Sequence, residues 1–139
     1  MNSPVTIDAS VFVSAFTPTE PAYQVSKTFM LNVREQSVPI IVPVLVLPEI
    51  SAALSRGQGK PELGLAFVRE LRNFPNTTFI DVDDGIATLA VEVAAQNRLR
   101  GSDAIYAAVS LRFGTELITL DKEQLERLPK VLPVRVPSR

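Results

Sequence analysis

Histidine and cysteine are both absent from this 139-residue chain. That removes Ser-His-Asp and Cys-His catalysis, imidazole and thiolate metal ligands, and disulfides. Any chemistry falls to carboxylates, hydroxyls, Lys or Arg. Four acids stand where chemistry is common. Asp8 directly follows one apolar run and Asp121 another. Glu49 lies early in a helical segment, and Asp103 opens the small-residue run Asp103-Ala104-Ile105-Tyr106-Ala107-Ala108. Their hard oxygens suit Mg²⁺ or Mn²⁺. Each acid alone also has a purely structural explanation. Asp8 can cap a helix. Asp103 sits in a first turn, where the helix dipole favours a negative charge by ~0.3–1 kcal/mol. Asp121 and Gln124 have capping-box spacing. Glu49 can face solvent or pair with Arg56. Brought together, however, the four would repel one another unless a cation lay between them.

The elements that must position these acids alternate between strand and helix, the pattern of an α/β fold with a mainly parallel sheet. Strands are expected at Pro4 to Ile7, Pro39 to Val42, Thr77 to Val82, Glu116 to Leu120 and, at an edge, Val131 to Val136. Helices are expected at Ser10 to Phe16, Pro21 to Gln36, from Val44 or Leu45 to Arg56, Pro61 to Asn73, from a cap at Asp83 or Asp84 to Asn97, Asp103 to Phe113 and Asp121 to Arg127. Pro48 is compatible with its helix only near the first turn, because an interior proline costs ~3 kcal/mol. Gly57 and Gly59 close that helix, and Ser102 is expected to cap the one that begins at Asp103. In an open parallel sheet, ligands bind beyond the strands' carboxyl ends where the strand order reverses. If the fourth strand lies on the far side of the first, Asp8 and Asp121 flank that crevice; periodicity alone leaves the order open.

Length and a hydrophobic content of 46% suit one domain, residues 1–139, with a full core. The formal net charge of -1 provides no global attraction for nucleic acid, so a local basic patch must supply it. No signal sequence and no apolar run of membrane-spanning length is evident, and the missing cysteines fit a cytoplasmic protein. A mean hydropathy of +0.19 is high for a small soluble domain and suggests apolar surface covered by another chain.

The segments Thr6-Ile7-Asp8-Ala9-Ser10, Pro48-Glu49, Ser102-Asp103-Ala104-Ile105-Tyr106-Ala107-Ala108 and Thr119-Leu120-Asp121 resemble, in order and spacing, the successive acidic motifs of PIN-domain nucleases. In its short length the chain is most similar to VapC-type toxins of toxin–antitoxin pairs. The resemblance implies a three-layer α/β/α sandwich with a sheet of four to five strands in the order 3-2-1-4-5. It implies a divalent-metal-dependent endoribonuclease in which Asp8, Glu49, Asp103 and Asp121 are the metal-binding and catalytic acids. Ser10 and Thr119 match hydroxyl positions beside the first and last acids. The cofactor would be Mg²⁺ or Mn²⁺, one ion acidifying water and a second stabilising the leaving oxygen. Arg56, Lys60, Arg98, Arg100 and Lys122 are the cations expected to contact phosphate around these acids. Partners implied are an RNA substrate, a second copy of the chain in a homodimer, and an antitoxin protein. A catalytically silent PIN scaffold is the alternative. Receiver-type and dehalogenase-type phosphoryl-transfer sites are disfavoured, since Asp8 stands alone after its strand with Ser10 two residues on, and no Gly-rich phosphate loop appears.

Overall fold

The computed structural model describes residues 2–138. Five parallel strands form one sheet: β1 (Val5–Ile7), β2 (Ile40–Pro43), β3 (Thr77–Ile80), β4 (Glu116–Ile118) and β5 (Val134–Arg135). Their order is β3-β2-β1-β4-β5. The chain therefore steps outward from β1 to β3, then crosses back to lay β4 on the other side of β1. The sheet reverses between β1 and β4, where Val5 registers with Glu116 and Ile7 with Ile118.

Seven helices cover the sheet: α1 (Ala9–Phe16), α2 (Tyr23–Glu35), α3 (Val46–Gln58), α4 (Pro61–Arg72), α5 (Asp84–Asn97), α6 (Gly101–Phe113) and α7 (Lys122–Arg127). Helices α1 to α4 pack in mutual contact as one group, and α5 against α6 as another, giving the three-layer sandwich. Burial of Val5, Ile7, Ile40, Val42, Leu117 and Ile118 explains why the central strands read as continuous apolar runs. Thr6 is the polar exception in β1; its hydroxyl bonds Ile41 O and the Thr115 hydroxyl. Both edge strands are only partly buried.

Pro48 is the third residue of α3, where its missing N–H has no intrahelical partner to lose. The helix runs through Gly57 and ends at Gly59, whose φ of 66° is left-handed. On α4, Gly64 lets the helix lie directly on α3: a Cβ there would stand 2.6 Å from Ser51 O and from Ser55 Oγ.

The sequence expectations need adjusting at several element ends. Ser102 does not cap α6. The helix starts at Gly101, and Arg100 takes the cap position with extended φ/ψ and no side-chain cap bond. This frees the Arg100 side chain to turn elsewhere. β3 stops at Ile80 and β5 spans only Val134–Arg135, both shorter than the apolar runs that contain them.

Candidate active site

Beyond the carboxyl ends of β1 and β4 lies a cleft of about 570 Å³, lined by Asp8, Glu49, Asp103 and Asp121 together with Ser10, Glu20, Arg100 and Lys122. Four separate elements deliver the four acids. Asp8 caps α1, its Oδ2 accepting from Ser10 N at 2.9 Å. Its own backbone N–H donates to Ile118 O of β4, which fixes it at the reversal point. Glu49 is in the first turn of α3 and Asp103 in the first turn of α6. Asp121 caps α7, its Oδ1 accepting from Gln124 N. Ser10 on α1 accepts from Leu120 N at 3.1 Å, tying the two sides of the cleft together.

The acids are costly to ionise in place. Burial, as the largest cause, raises the carboxyls of Asp8, Asp103 and Glu49 above their ordinary range, and neighbouring carboxylates raise them further. Asp8 is 7% and Asp103 5% exposed. Hydrogen bonds oppose the trend. Tyr106, itself buried, donates its hydroxyl to Glu49 Oε1 at 2.6 Å. Gln124 is fully buried and points its amide nitrogen at Asp8 Oδ1 (3.3 Å) and Asp103 Oδ1 (3.5 Å). Arg100 spans two acids, Nε to Asp103 Oδ2 and Nη2 to Asp121 Oδ2, both at 3.0 Å.

These bonds account for the lie of the carboxylates. Among the described residues, no three acids are already arranged as a metal cage, because nearly every oxygen faces an N–H or O–H of the chain. The donor set nonetheless fits a hard divalent ion: four carboxylates, three of them held above their usual range by burial, and a guanidinium already serving as cation between two of them.

The sequence matches the PIN domain family model over residues 5–131. The chain belongs to the PIN-domain family. No curated protein sequence matches it. Its fold is shared by FitAcB from Neisseria gonorrhoeae, with a TM-score of 0.75, 11% identity, and coverage of 96% of this chain and 97% of that one. It is shared by VapC20 of Mycobacterium tuberculosis, described as a sarcin-ricin-loop-cleaving toxin, with a TM-score of 0.74, 16% identity, and coverage of 93% and 99%. VapBC2 from Rickettsia felis, solved on a promoter DNA fragment, gives a TM-score of 0.70, 15% identity, and coverage of 96% and 98%.

Within this PIN domain, the four acids anticipated from sequence meet at one cleft. Of the five anticipated cations, Arg100 and Lys122 line it and Arg56, Lys60 and Arg98 do not. Arg56 lies in the last turn of α3, whereas Glu49 is in the first. Arg98 is the left-handed cap of α5, its carbonyl accepting from Arg127. Thr119 lies beneath the cleft: its hydroxyl accepts from Asp121 N and donates to Gln124 Oε1. Two groups were missed. By spacing Gln124 is only the partner in a capping box, yet its side chain turns inward to Asp8 and Asp103. Glu20, at the cleft wall, follows the Thr17-Pro18 turn and carries no sequence signal of its own.

Proposed function

We propose that this PIN domain is a divalent-metal-dependent endoribonuclease, the cytoplasmic toxin of a toxin–antitoxin pair. The observation that carries the reading is the meeting of Asp8, Glu49, Asp103 and Asp121, from four distant stretches, in one cleft at the sheet's reversal point. Supporting it are the family membership and the toxin–antitoxin proteins that share the fold.

Asp8, Asp103 and Asp121 would hold Mg²⁺ or Mn²⁺, with Glu49 at the side. When bound, such an ion supplies positive charge at the phosphate and acidifies water near it. The chain's own residues do the rest. Tyr106 fixes the Glu49 carboxylate, leaving Oε2 to take a proton from an attacking water. Gln124 sets the spacing of Asp8 and Asp103 from below. Lys122 and Arg100 at the cleft offer cations to the RNA backbone, and Arg56, Lys60 and Arg98 would meet it farther along. Ser10 and Thr119 position backbone rather than substrate, each accepting from an N–H of the β4–α7 connection. Aromatic residues are few, so binding rests on phosphate contact more than base stacking.

A second copy and an antitoxin chain complete the proposal. The apolar groove between α2 and α4, with Met30, Leu31, Phe67 and Phe74 along it, supplies surface for a protein partner. Among the described residues no helix is long and apolar enough to cross a membrane.

The test is cleavage of an RNA panel by the purified chain in Mn²⁺ and in EDTA. Metal-dependent internal cuts that vanish in EDTA support the reading. No cleavage, together with no Mn²⁺ uptake in a titration, leaves a silent scaffold instead.

A further inference from the structure

The guanidinium of Arg100 holds one oxygen on each of two acids from different elements. Asp103 Oδ2 and Asp121 Oδ2 are each 3.0 Å from it. The remaining oxygens of these two acids are already committed. Asp103 Oδ1 faces Gln124, and Asp121 Oδ1 caps α7. Withdrawal of this one side chain therefore frees a pair of oxygens on two carboxylates at once; Gln124 also spans two acids, Asp8 and Asp103, but it is fully buried and holds them from below.

The side chain can withdraw. It is 67% exposed, entering the cleft from solvent rather than from the core. Its backbone sits at the cap of α6 in an extended conformation, its carbonyl accepting from Ala104 N, while its side chain makes no cap bond. Only the guanidinium partner of these pairs is exposed, Asp103 being buried, and a divalent cation with twice the charge can displace a monovalent tethered one from the same oxygens. Turned outward, the guanidinium stands at the mouth of the same cleft, where its planar fork suits a phosphate oxygen pair.

We propose that Arg100 is an exchangeable counter-ion: it bridges Asp103 and Asp121 in the metal-free chain, gives way to the divalent ion, and then binds the backbone phosphate of the RNA. This rests on the nuclease reading. It makes Arg100 a single residue that opposes metal binding and favours substrate binding. A merely structural role would weaken both when lost.

The experiment measures Mn²⁺ affinity by calorimetry for the intact wild-type chain and for Arg100→Gln, in the absence of RNA. The variant should bind Mn²⁺ about 3- to 30-fold more tightly, the range expected for releasing two carboxylates from one solvent-exposed guanidinium. Arg100→Lys, with one charge and no fork, should fall between. With Mn²⁺ saturating, Arg100→Gln should raise KM for RNA. In EDTA its Tm should fall below that of wild type, and the difference should close when Mn²⁺ is added. Equal or weaker Mn²⁺ affinity in Arg100→Gln overturns the proposal while leaving the metal site intact. Wild-type protein that takes up no Mn²⁺ overturns the nuclease reading itself, and the exchange with it.

Discussion

Tyr106 on α6 donates its hydroxyl to Glu49 on α3, 2.6 Å away and 57 residues apart in sequence. The ring is buried and the hydroxyl is its only polar atom, so the contact joins the core to the cleft. Tyr106→Phe keeps the packing and removes the donor. Loss of an outer partner of a site carboxylate typically costs about 10–100-fold in activity or metal affinity, and a loss in that range is expected here. The hydrogen bond lowers the Glu49 carboxyl against its burial, so the acid limb of the pH–rate profile should move to higher pH. An unchanged rate and profile would show that Glu49 needs no such anchor.

Asp8→Asn should leave the fold intact and abolish metal-dependent RNA cleavage. The amide oxygen can still cap Ser10 N, and the variant sheds a charge that burial makes costly. Its Tm in EDTA should equal or exceed that of wild type. Circular dichroism and an RNA cleavage assay check both halves, and undiminished activity would remove Asp8 from the machinery.

Gln124→Leu replaces a fully buried amide with an aliphatic chain of similar bulk. The Thr119 hydroxyl then loses its acceptor, while Asp8 and Asp103 lose a shared donor. Orphaned buried groups cost about 1–3 kcal/mol, read as a lower urea midpoint. Mn²⁺ affinity should fall as well, because the two carboxylates lose their spacer.

The pH dependence of stability follows from burial. Asp8, Glu49 and Asp103 all titrate above their ordinary range in the folded chain. The folded state therefore holds protons that the unfolded state has released. Stability from these groups is present below the unfolded values and is lost as pH rises through the raised folded ones. Urea midpoints in EDTA, taken as wild type minus Asp8→Asn, should decline across that window. Saturating Mn²⁺ should reverse the decline, since the ion binds the ionised form. A difference that grows with pH in EDTA would contradict the assignment.

Gly64→Ala tests the scaffold apart from the chemistry. The added methyl would meet Ser51 O and Ser55 Oγ at 2.6 Å, forcing α4 off α3 at a cost of about 1–3 kcal/mol. A lower Tm with cleavage per folded molecule unchanged is the expected result.

Much of this was legible in the sequence, for reasons that differ by residue. Asp8 and Asp121 end apolar strand runs, so the period-2 and continuous-run signals locate them directly. Asp103 and Glu49 follow from helix starts. The sheet order became readable through the family resemblance, since the hydrophobic pattern of β4 says nothing about which side of β1 it joins. Gln124 escaped because its spacing from Asp121 satisfies a local rule. In the folded chain Thr119 already takes the Asp121 N–H, so the Gln124 side chain is released from capping and turns to the acids. Ser102 misled in a similar way: a good capping residue lies two residues too late, and the Arg100 side chain leaves the cap unused. Residue types announce what a side chain can do locally, whereas long-range competition for each donor decides what it does.

The crossover from β3 back to β4 also governs when the acidic cleft can form during synthesis of the chain. The Asp8 N–H rests on Ile118 O, and Asp121 and Gln124 come after that. A ribosome-bound or truncated chain ending before β4 carries three of the acids but lacks the strand that aligns the first of them and the helix that spaces it from Asp103. On the proposed nuclease reading, such a fragment would not cut RNA. The four-acid cleft is assembled only once β4 and α7 have joined the fold.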